Sequence, residues 1–183
     1  MSALDHPGVA AFDQWADERL ERLRGRRRLD RLMLAASELG DFSLVWHIAG
    51  ATRGLFSEAL AGQALLFSAL MGVESLLVNQ GLKRLFRRTR PTESGDPRLR
   101  VRRPSTSSFP SGHASAAFFA ASVLTAWGPA WTAALWFPLA LVVGTSRAYV
   151  RIHHASDVVG GAVVGAVLAQ IAIPVVQALG GPV

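Results

Sequence analysis

Two adjacent histidines followed closely by an aspartate, His153, His154 and Asp157, are the residues best suited to chemistry. His153 and Asp157 are four residues apart, so on a helix the carboxylate can accept a hydrogen bond from one imidazole nitrogen. The other nitrogen is then free to attack an electrophile, with the carboxylate orienting the ring as in a catalytic triad. The same spacing also fits a purely structural His–Asp pair.

A metal site is a second interpretation of these residues, since they and His113 are all potential ligands. However, adjacent histidines on a helix diverge by about 100°. The arginines of this region would also repel a divalent cation. We therefore expect neither a metal ion nor another cofactor.

Residues 83–91, Lys-Arg-Leu-Phe-Arg-Arg-Thr-Arg-Pro, form a basic cluster. If a helix continues through them, Lys83 and Arg90 lie two turns apart on one face, about 10 Å along the axis. Both could then point at one anion. Pro91 disfavours helix at Arg90, so the chain should turn out of the helix there. A solvated basic flank at a membrane surface would have the same composition.

Residues 107–113, Ser-Ser-Phe-Pro-Ser-Gly-His, precede an apolar run. Ser111 is placed as the N-cap of a helix whose free N–H groups could bind an anion. Gly112 permits close approach of backbone to a phosphate, and His113 titrates near neutral pH. A helix cap beside an incidental interfacial histidine is the alternative.

Long apolar runs must position these residues. Half of the residues are hydrophobic and 17% are charged, which is typical of a membrane protein. The predicted spans are 32–52, 60–78, 114–126, 130–145 and 158–179. In the last span, Gly161 and Gly165 have the small-xxx-small spacing that lets helices approach closely, and Pro174 should bend the helix. The predicted fold is an all-α integral-membrane bundle with about five transmembrane helices.

Residues 12–30 mix aromatic and aliphatic residues with charge and predict an N-terminal amphipathic, interfacial helix. The net charge of +6 comes from arginines concentrated in 19–31 and 83–103, which suits an anionic membrane surface or substrate better than nucleic acid. The N-terminal region has no short apolar run, so it does not resemble a cleaved signal peptide. The chain has no cysteine, so disulfides are excluded.

We expect a single membrane-embedded domain over 1–183, with a basic interfacial segment at 1–31. Two further segments, 81–113 and 146–157, should carry the active site. Two crossings separate them, so both should emerge on the same side of the membrane.

Together the clusters read Lys-x6-Arg-Pro, Pro-Ser-Gly-His and Ser-Arg-x5-His-x3-Asp. In residues, spacing and order this strongly resembles the type 2 phosphatidic acid phosphatase family. The resemblance implies a membrane-embedded phosphatase with His153 as nucleophile, Asp157 orienting it and His113 as general acid. It also implies which residues hold the phosphate oxygens: Lys83, Arg90, Ser111, Gly112 and Arg147.

The sequence departs from the family pattern in two respects. His154-Ala155 replaces the common aromatic residue and proline after the nucleophile, and Arg151 stands where a small residue is usual. The short N-terminal region suggests that the family's first span is missing. These differences leave the headgroup preference and the membrane orientation open, but they do not touch the catalytic set.

The expected function is hydrolysis of a phosphomonoester or diphosphate on a membrane lipid through a phosphohistidine. Phosphatidic acid, phosphatidylglycerol phosphate, a polyprenyl phosphate or diphosphate, and a phosphorylated glycolipid all fit. A lipid phosphotransferase using the same site, a non-catalytic protein that binds anionic lipids, and a vanadate haloperoxidase are the alternatives. The basic N-terminus favours a multi-pass protein of the cell membrane with its site facing the cytoplasm. The sequence does not indicate an oligomeric state.

Overall fold

All regular structure in the described residues is helical, as predicted. The computed structural model describes residues 6–92, 96, 98–99, 101 and 106–182. Its α-helices are α1 Pro7–Glu21, α2 Arg27–Leu39, α3 Leu44–Gly54, α4 Glu58–Leu76, α5 Lys83–Leu85, α6 Gly112–Ala126, α7 Ala133–Tyr149 and α8 Ala155–Ala178.

The prediction of one helix over 12–30 is wrong, because α1 ends at Glu21 and α2 begins only at Arg27. Gly25 has a φ of 86°, a conformation that glycine adopts without steric cost and that cannot continue an α-helix. The Asp30 carboxylate accepts a hydrogen bond from the Gly25 N–H at 3.2 Å and stabilises this turn.

The segment 32–52, predicted as one membrane span, is not one continuous helix. Helix α2 ends at Leu39, and a short 3-10 turn, Asp41–Ser43, separates it from α3. Gly40 lies so close to α6 that a Cβ there would come 2.6 Å from Cδ2 of His113. Phe42 and Ser43 both have positive φ, so the helix cannot run through this turn. The break places Asp41 next to His113.

Within the described residues, two helices are long and apolar enough to cross a membrane. The first, Glu58–Leu85, comprises α4, a π-helical turn at Leu77–Leu82 and α5, and the second is Ala155–Ala178. The predicted span at 60–78 lies within the first helix, and the one at 158–179 lies within the second except for its last residue. Helices α6 and α7 have 15 and 17 residues, about 22 and 25 Å, against about 30 Å of hydrocarbon. The structure therefore does not confirm five crossings.

Helix α6 is the centre of the bundle and packs most extensively against α8 and α7. Its close approach to α8 depends on glycine. A Cβ at Gly161 would lie 2.3 Å from the Ser111 carbonyl oxygen, and one at Gly165 would lie 2.0 Å from that of Ser115. The function predicted for the small-xxx-small spacing is thus confirmed. The first turns of α6 and α8 are held side by side at one end of the bundle.

Candidate active site

His153 lies in the turn between α7 and α8, where Arg151 adopts a φ of 59°. It therefore does not share a helix with Asp157, contrary to the sequence interpretation. The predicted contact nevertheless forms: His153 Nδ1 is 3.5 Å from Asp157 Oδ2. Asp157 is in the first turn of α8 and its Oδ2 accepts a hydrogen bond from the His154 N–H at 2.9 Å. A helix N-terminus thus holds the carboxylate beneath the imidazole.

Two further side chains bind the Asp157 carboxylate, which is completely buried. The Ser108 hydroxyl donates to Oδ2 and lies 3.5 Å from His153 Nδ1. Arg88 donates from Nη1 to Oδ1 at 2.5 Å. Neither contact was predicted, because Arg88 is one of the six unspecified residues of the first motif and Ser108 lies two residues before the second motif. Their bonds fix the carboxylate in an ionised, oriented state.

The Arg90 guanidinium, which can only donate hydrogen bonds, lies 3.1 Å from His153 Nε2 through Nη1. Nε2 must therefore accept, and the ring proton is on Nδ1, facing Asp157. Burial lowers the pKa of His153 to about 3, an effect that the charges of Arg90 and Arg147 reinforce and the hydrogen bond to Asp157 opposes. The imidazole is neutral and its Nε2 carries no proton, as a nucleophilic nitrogen requires.

The basic cluster is arranged differently from the prediction. The helix ends at Leu85, and Phe86 is extended with φ −120° and ψ 140°. Lys83 and Arg90 consequently do not share a helix face. The extended segment instead carries Arg90 back across the site, where Nη1 donates to the Ile152 carbonyl oxygen at 2.6 Å. Both cations are buried, and the charges of Arg90, Arg147 and Asp157 all act on Lys83.

Ser111 is the N-cap of α6, as predicted, and its Oγ accepts from the Ala114 N–H at 3.5 Å. Its own N–H donates to the Asp157 carbonyl oxygen at 3.0 Å, which ties the starts of α6 and α8 together. A Cβ at Gly112 would lie 3.4 Å from Lys83 Nζ. The tightest contact would be with Asn79 Oδ1, at 2.9 Å, so the absence of a side chain at Gly112 makes room for Asn79 beside Lys83.

His113 Nε2 lies 2.9 Å from Asp41 Oδ1. Asp41 was not predicted to be a site residue, because in the sequence it is a costly charge inside an apolar run. The close packing of Gly40 against His113 could not be detected from the sequence. Burial lowers the pKa of His113 to about 4, an effect that the charge of Arg147 reinforces. Asp41 opposes this shift, because an acidic partner favours the protonated imidazole, the form that a general acid needs.

Arg147 is close enough to both His113 and His153 for its charge to lower the pKa of each ring. It is 1% exposed, and Nη1 donates to the Ser37 hydroxyl and, at 3.3 Å, to the Ser37 carbonyl oxygen. Among the described residues, Nε and Nη2 of Arg147 have no hydrogen-bond partner. These buried N–H donors are suited to the oxygens of an anion.

The structure thus brings the predicted site residues to one end of the bundle. A neutral, oriented histidine faces three buried cations and the N-terminus of α6, while a second histidine is paired with a carboxylate. In the described part of the chain, no three His, Cys, Asp or Glu side chains converge as metal ligands would. The arrangement can bind a phosphate group and transfer it to an imidazole nitrogen.

Comparison with known proteins agrees with this geometry. A model of the PAP2 superfamily matches residues 62–180. YbjG of Escherichia coli (strain K12), named provisionally as an undecaprenyl-diphosphatase, is 30% identical over 106 residues, which are 58% of this chain and 54% of YbjG. The match therefore spans about half the length of this curated relative.

Two solved structures share the fold. A transmembrane PAP2 type phosphatidylglycerolphosphate phosphatase from Bacillus subtilis has a TM-score of 0.73 and 25% identity, covering 96% of this chain and 89% of its own. LpxE from Aquifex aeolicus has a TM-score of 0.68 and 20% identity, and the match covers 95% of this chain and 99% of LpxE. The family model matches well over half of the chain and includes all three motifs. The resemblance seen in the sequence is therefore confirmed, and the chain belongs to the PAP2 superfamily.

Proposed function

We propose that this protein is a membrane lipid phosphatase that works through a phosphohistidine on His153. One observation carries the proposal: the neutral His153 has its Nδ1 proton directed at Asp157 and its Nε2 3.1 Å from Arg90. Lys83 and Arg147 are also buried, and their charges interact with those of this group. Transfer of a phosphoryl group needs a positioned nucleophile and charge stabilisation on the phosphate oxygens. Both are supplied here by fixed side chains.

In the first step, the three cations and the N–H groups at the start of α6 bind the phosphate oxygens. Nε2 of His153 attacks phosphorus, and the bond from phosphorus to the lipid oxygen breaks. His113 gives its proton to that oxygen, so a phosphomonoester releases a neutral lipid alcohol and a diphosphate releases a lipid monophosphate. Asp157 stabilises the positive charge that the ring acquires on phosphorylation, since it already accepts the Nδ1 proton.

In the second step, neutral His113 takes a proton from water, which attacks the phosphohistidine and releases inorganic phosphate. The bond between phosphorus and Nε2 breaks, and His153 returns to its neutral state. Asp41, 2.9 Å from His113 Nε2, supports the protonated form of the acid at the start of the cycle.

We propose that the substrate carries its phosphate on a membrane lipid, because the site lies at the end of the two membrane-length helices. YbjG is named for a polyprenyl diphosphate and the Bacillus enzyme for phosphatidylglycerolphosphate. Both substrates present a terminal phosphate on a lipid. Phosphatidic acid and phosphorylated glycolipids share this chemistry and belong in the same test panel.

The purified protein should release phosphate from at least one lipid of this panel in excess chelator, because fixed cations take the place of a metal. Vanadate should inhibit, since it resembles the pentacoordinate phosphorus of the transition state. Phosphate release with and without chelator is the measurement. Loss of activity on chelation, restored by a divalent ion, would contradict the mechanism. A protein that binds these lipids but releases no phosphate would contradict the function itself.

We further propose that 1–183 forms one membrane-embedded domain whose site faces the cytoplasm. The positive-inside rule supports this through the arginines of 19–31. Because the chain lacks cysteine, single cysteines can report the orientation. Thr89 is exposed beside the site, whereas Ala130 is exposed beyond the other end of α6.

An impermeant maleimide should therefore label Ala130→Cys in intact cells and label Thr89→Cys only after the membrane is permeabilised. Each variant is first shown to retain activity, so that labelling reports the native fold. The reverse labelling pattern would mean that the site faces outward.

A further inference from the structure

A chain of charged groups connects the N-terminal helix to the proposed catalytic pair. Arg88 bridges two carboxylates: Nη1 donates to Asp157 Oδ1 at 2.5 Å, and Nη2 donates to Asp13 Oδ2 at 2.6 Å. Asp13 is on α1 and is 8% exposed, Asp157 is fully buried, and the Arg88 side chain between them is 12% exposed. A single side chain, that of Arg88, thus connects Asp13 to the Asp157 carboxylate that orients His153.

The geometry around Arg88 leaves the guanidinium little freedom. Nη1 also donates to Ser156 Oγ at 2.7 Å, and that hydroxyl donates to Asp13 Oδ2 at 2.8 Å. The Ser156 N–H donates to Asp13 Oδ1 at 2.8 Å. Two carboxylates, a hydroxyl and a helix N-terminus therefore form one closed network around the guanidinium. In such networks the outer partner determines where the inner one is held.

We propose that Asp13 is a positioning residue for catalysis, acting through Arg88 on Asp157 and hence on the orientation of His153. This inference rests on the proposed phosphohistidine function. With Asp13 ionised, Arg88 is held between two carboxylates and presents Nη1 to Asp157. Without that charge, Arg88 loses the partner of Nη2, and the Asp157 carboxylate is no longer confined to the position that receives the Nδ1 proton.

The alternative is that Asp13 only fastens α1 to the rest of the protein. The same face of α1 carries Asp17, whose carboxylate pairs with Arg151 Nη2 at 2.8 Å and with Arg24 Nη2 at 2.8 Å. Glu21, one turn further on, pairs with Arg151 at 3.0 Å. Asp17 thus also anchors α1, but its bonds do not reach Arg88 or Asp157. It provides a matched control.

Asp13→Asn keeps an oxygen for the Ser156 N–H but removes the charge opposite Arg88. We expect kcat to fall roughly 10-fold, as is common for outer partners of catalytic groups. KM should stay within about twofold, because the cations that bind phosphate are unchanged. Asp17→Asn should keep kcat within about twofold of the wild type. An unchanged kcat in Asp13→Asn, or equal losses in the two variants, would overturn the proposal.

A double-mutant cycle tests whether Asp13 acts through Arg88. Arg88→Lys retains the charge but cannot bridge two carboxylates. In that background, adding Asp13→Asn should lower kcat by no more than about twofold further. A full additional 10-fold loss would show that Asp13 acts by another route and would reject the proposed connection.

A second measurement does not depend on turnover. In protein labelled with ¹⁵N-histidine, the His153 signals, identified by their loss in His153→Ala, should report a single Nδ1–H tautomer. Asp13→Asn should move the Nδ1–H proton resonance upfield, because its hydrogen bond to Asp157 weakens, whereas Asp17→Asn should leave that resonance in place. If the wild type releases no phosphate from any lipid, the proposed function fails, and the Nδ1–H resonance still decides the role of Asp13. An unchanged Nδ1–H resonance in Asp13→Asn would refute that role.

Discussion

His153→Ala should lower kcat by on the order of 10⁴-fold or more and leave no phosphoenzyme to trap, because the variant lacks the attacking nitrogen. The structure supports this choice of nucleophile. His153 is 3% exposed, its Nδ1 faces Asp157 and its Nε2 lies against Arg90. Phosphate release from the best lipid of the panel and acid-quench trapping with ³²P substrate are the measurements.

His154→Ala is the matched control. What His154 supplies to Asp157 is its backbone N–H, which alanine retains. Its side chain is partly exposed and lies 3.9 Å from Asp13 Oδ2, away from the pair. We therefore expect this variant to keep more than about a tenth of the wild-type kcat, since it loses only an outer contact. If His154→Ala is inactive while His153→Ala still forms a phosphoenzyme, the nucleophile is His154. That result would reject the assignment of His153.

His113→Ala should depend strongly on the leaving group. With a lipid phosphate, whose alkoxide leaves poorly, loss of the proton donor should lower kcat by about 10²- to 10⁴-fold. With an activated aryl phosphate, the first step needs little proton donation, so phosphorylation of His153 should be much less affected. Hydrolysis of the phosphohistidine still needs a base. The variant should therefore accumulate phosphoenzyme with the aryl substrate, which trapping would detect.

Asp41→Asn provides the companion measurement. It leaves His113 in place but removes the charge 2.9 Å from Nε2, which favours the protonated ring. The variant should show the same leaving-group preference with a smaller loss than His113→Ala. Equal deficits on lipid and aryl phosphates in His113→Ala would show that His113 binds or positions substrate and is not the general acid.

Local features of the site could be predicted because their causes are local. The Ser111 N-cap depends on hydrogen bonds within one helical turn, and Gly161 and Gly165 mark a packing face by spacing alone. The type and order of the motif residues likewise specified the family and a nucleophile with its orienting carboxylate. None of this requires knowledge of which helices are neighbours.

The helix predictions that are wrong concern segments in which contact with a distant part of the chain overrides the local preference for helix. Apolar composition favoured a span over 32–52, but the packing of Gly40 against His113 breaks that helix and directs Asp41 into the site. Likewise, a helix through Lys83 and Arg90 was plausible locally. Bonds from Arg90 to the Ile152 backbone instead draw the segment out as an extended chain.

By itself, the sequence determined the all-α class, the two long apolar helices, the family and the set of residues that carry the proposed chemistry. Only the tertiary structure decided their partners: Asp41 for His113, Ser108 and Arg88 for Asp157, and Asp13 for Arg88. The physical reason is one of range. Helix periodicity and caps act over a few residues, whereas Asp13 and Ser156 are 143 residues apart. Such pairs form only when the packing of the whole bundle makes them neighbours and burial makes an unpaired charge too costly.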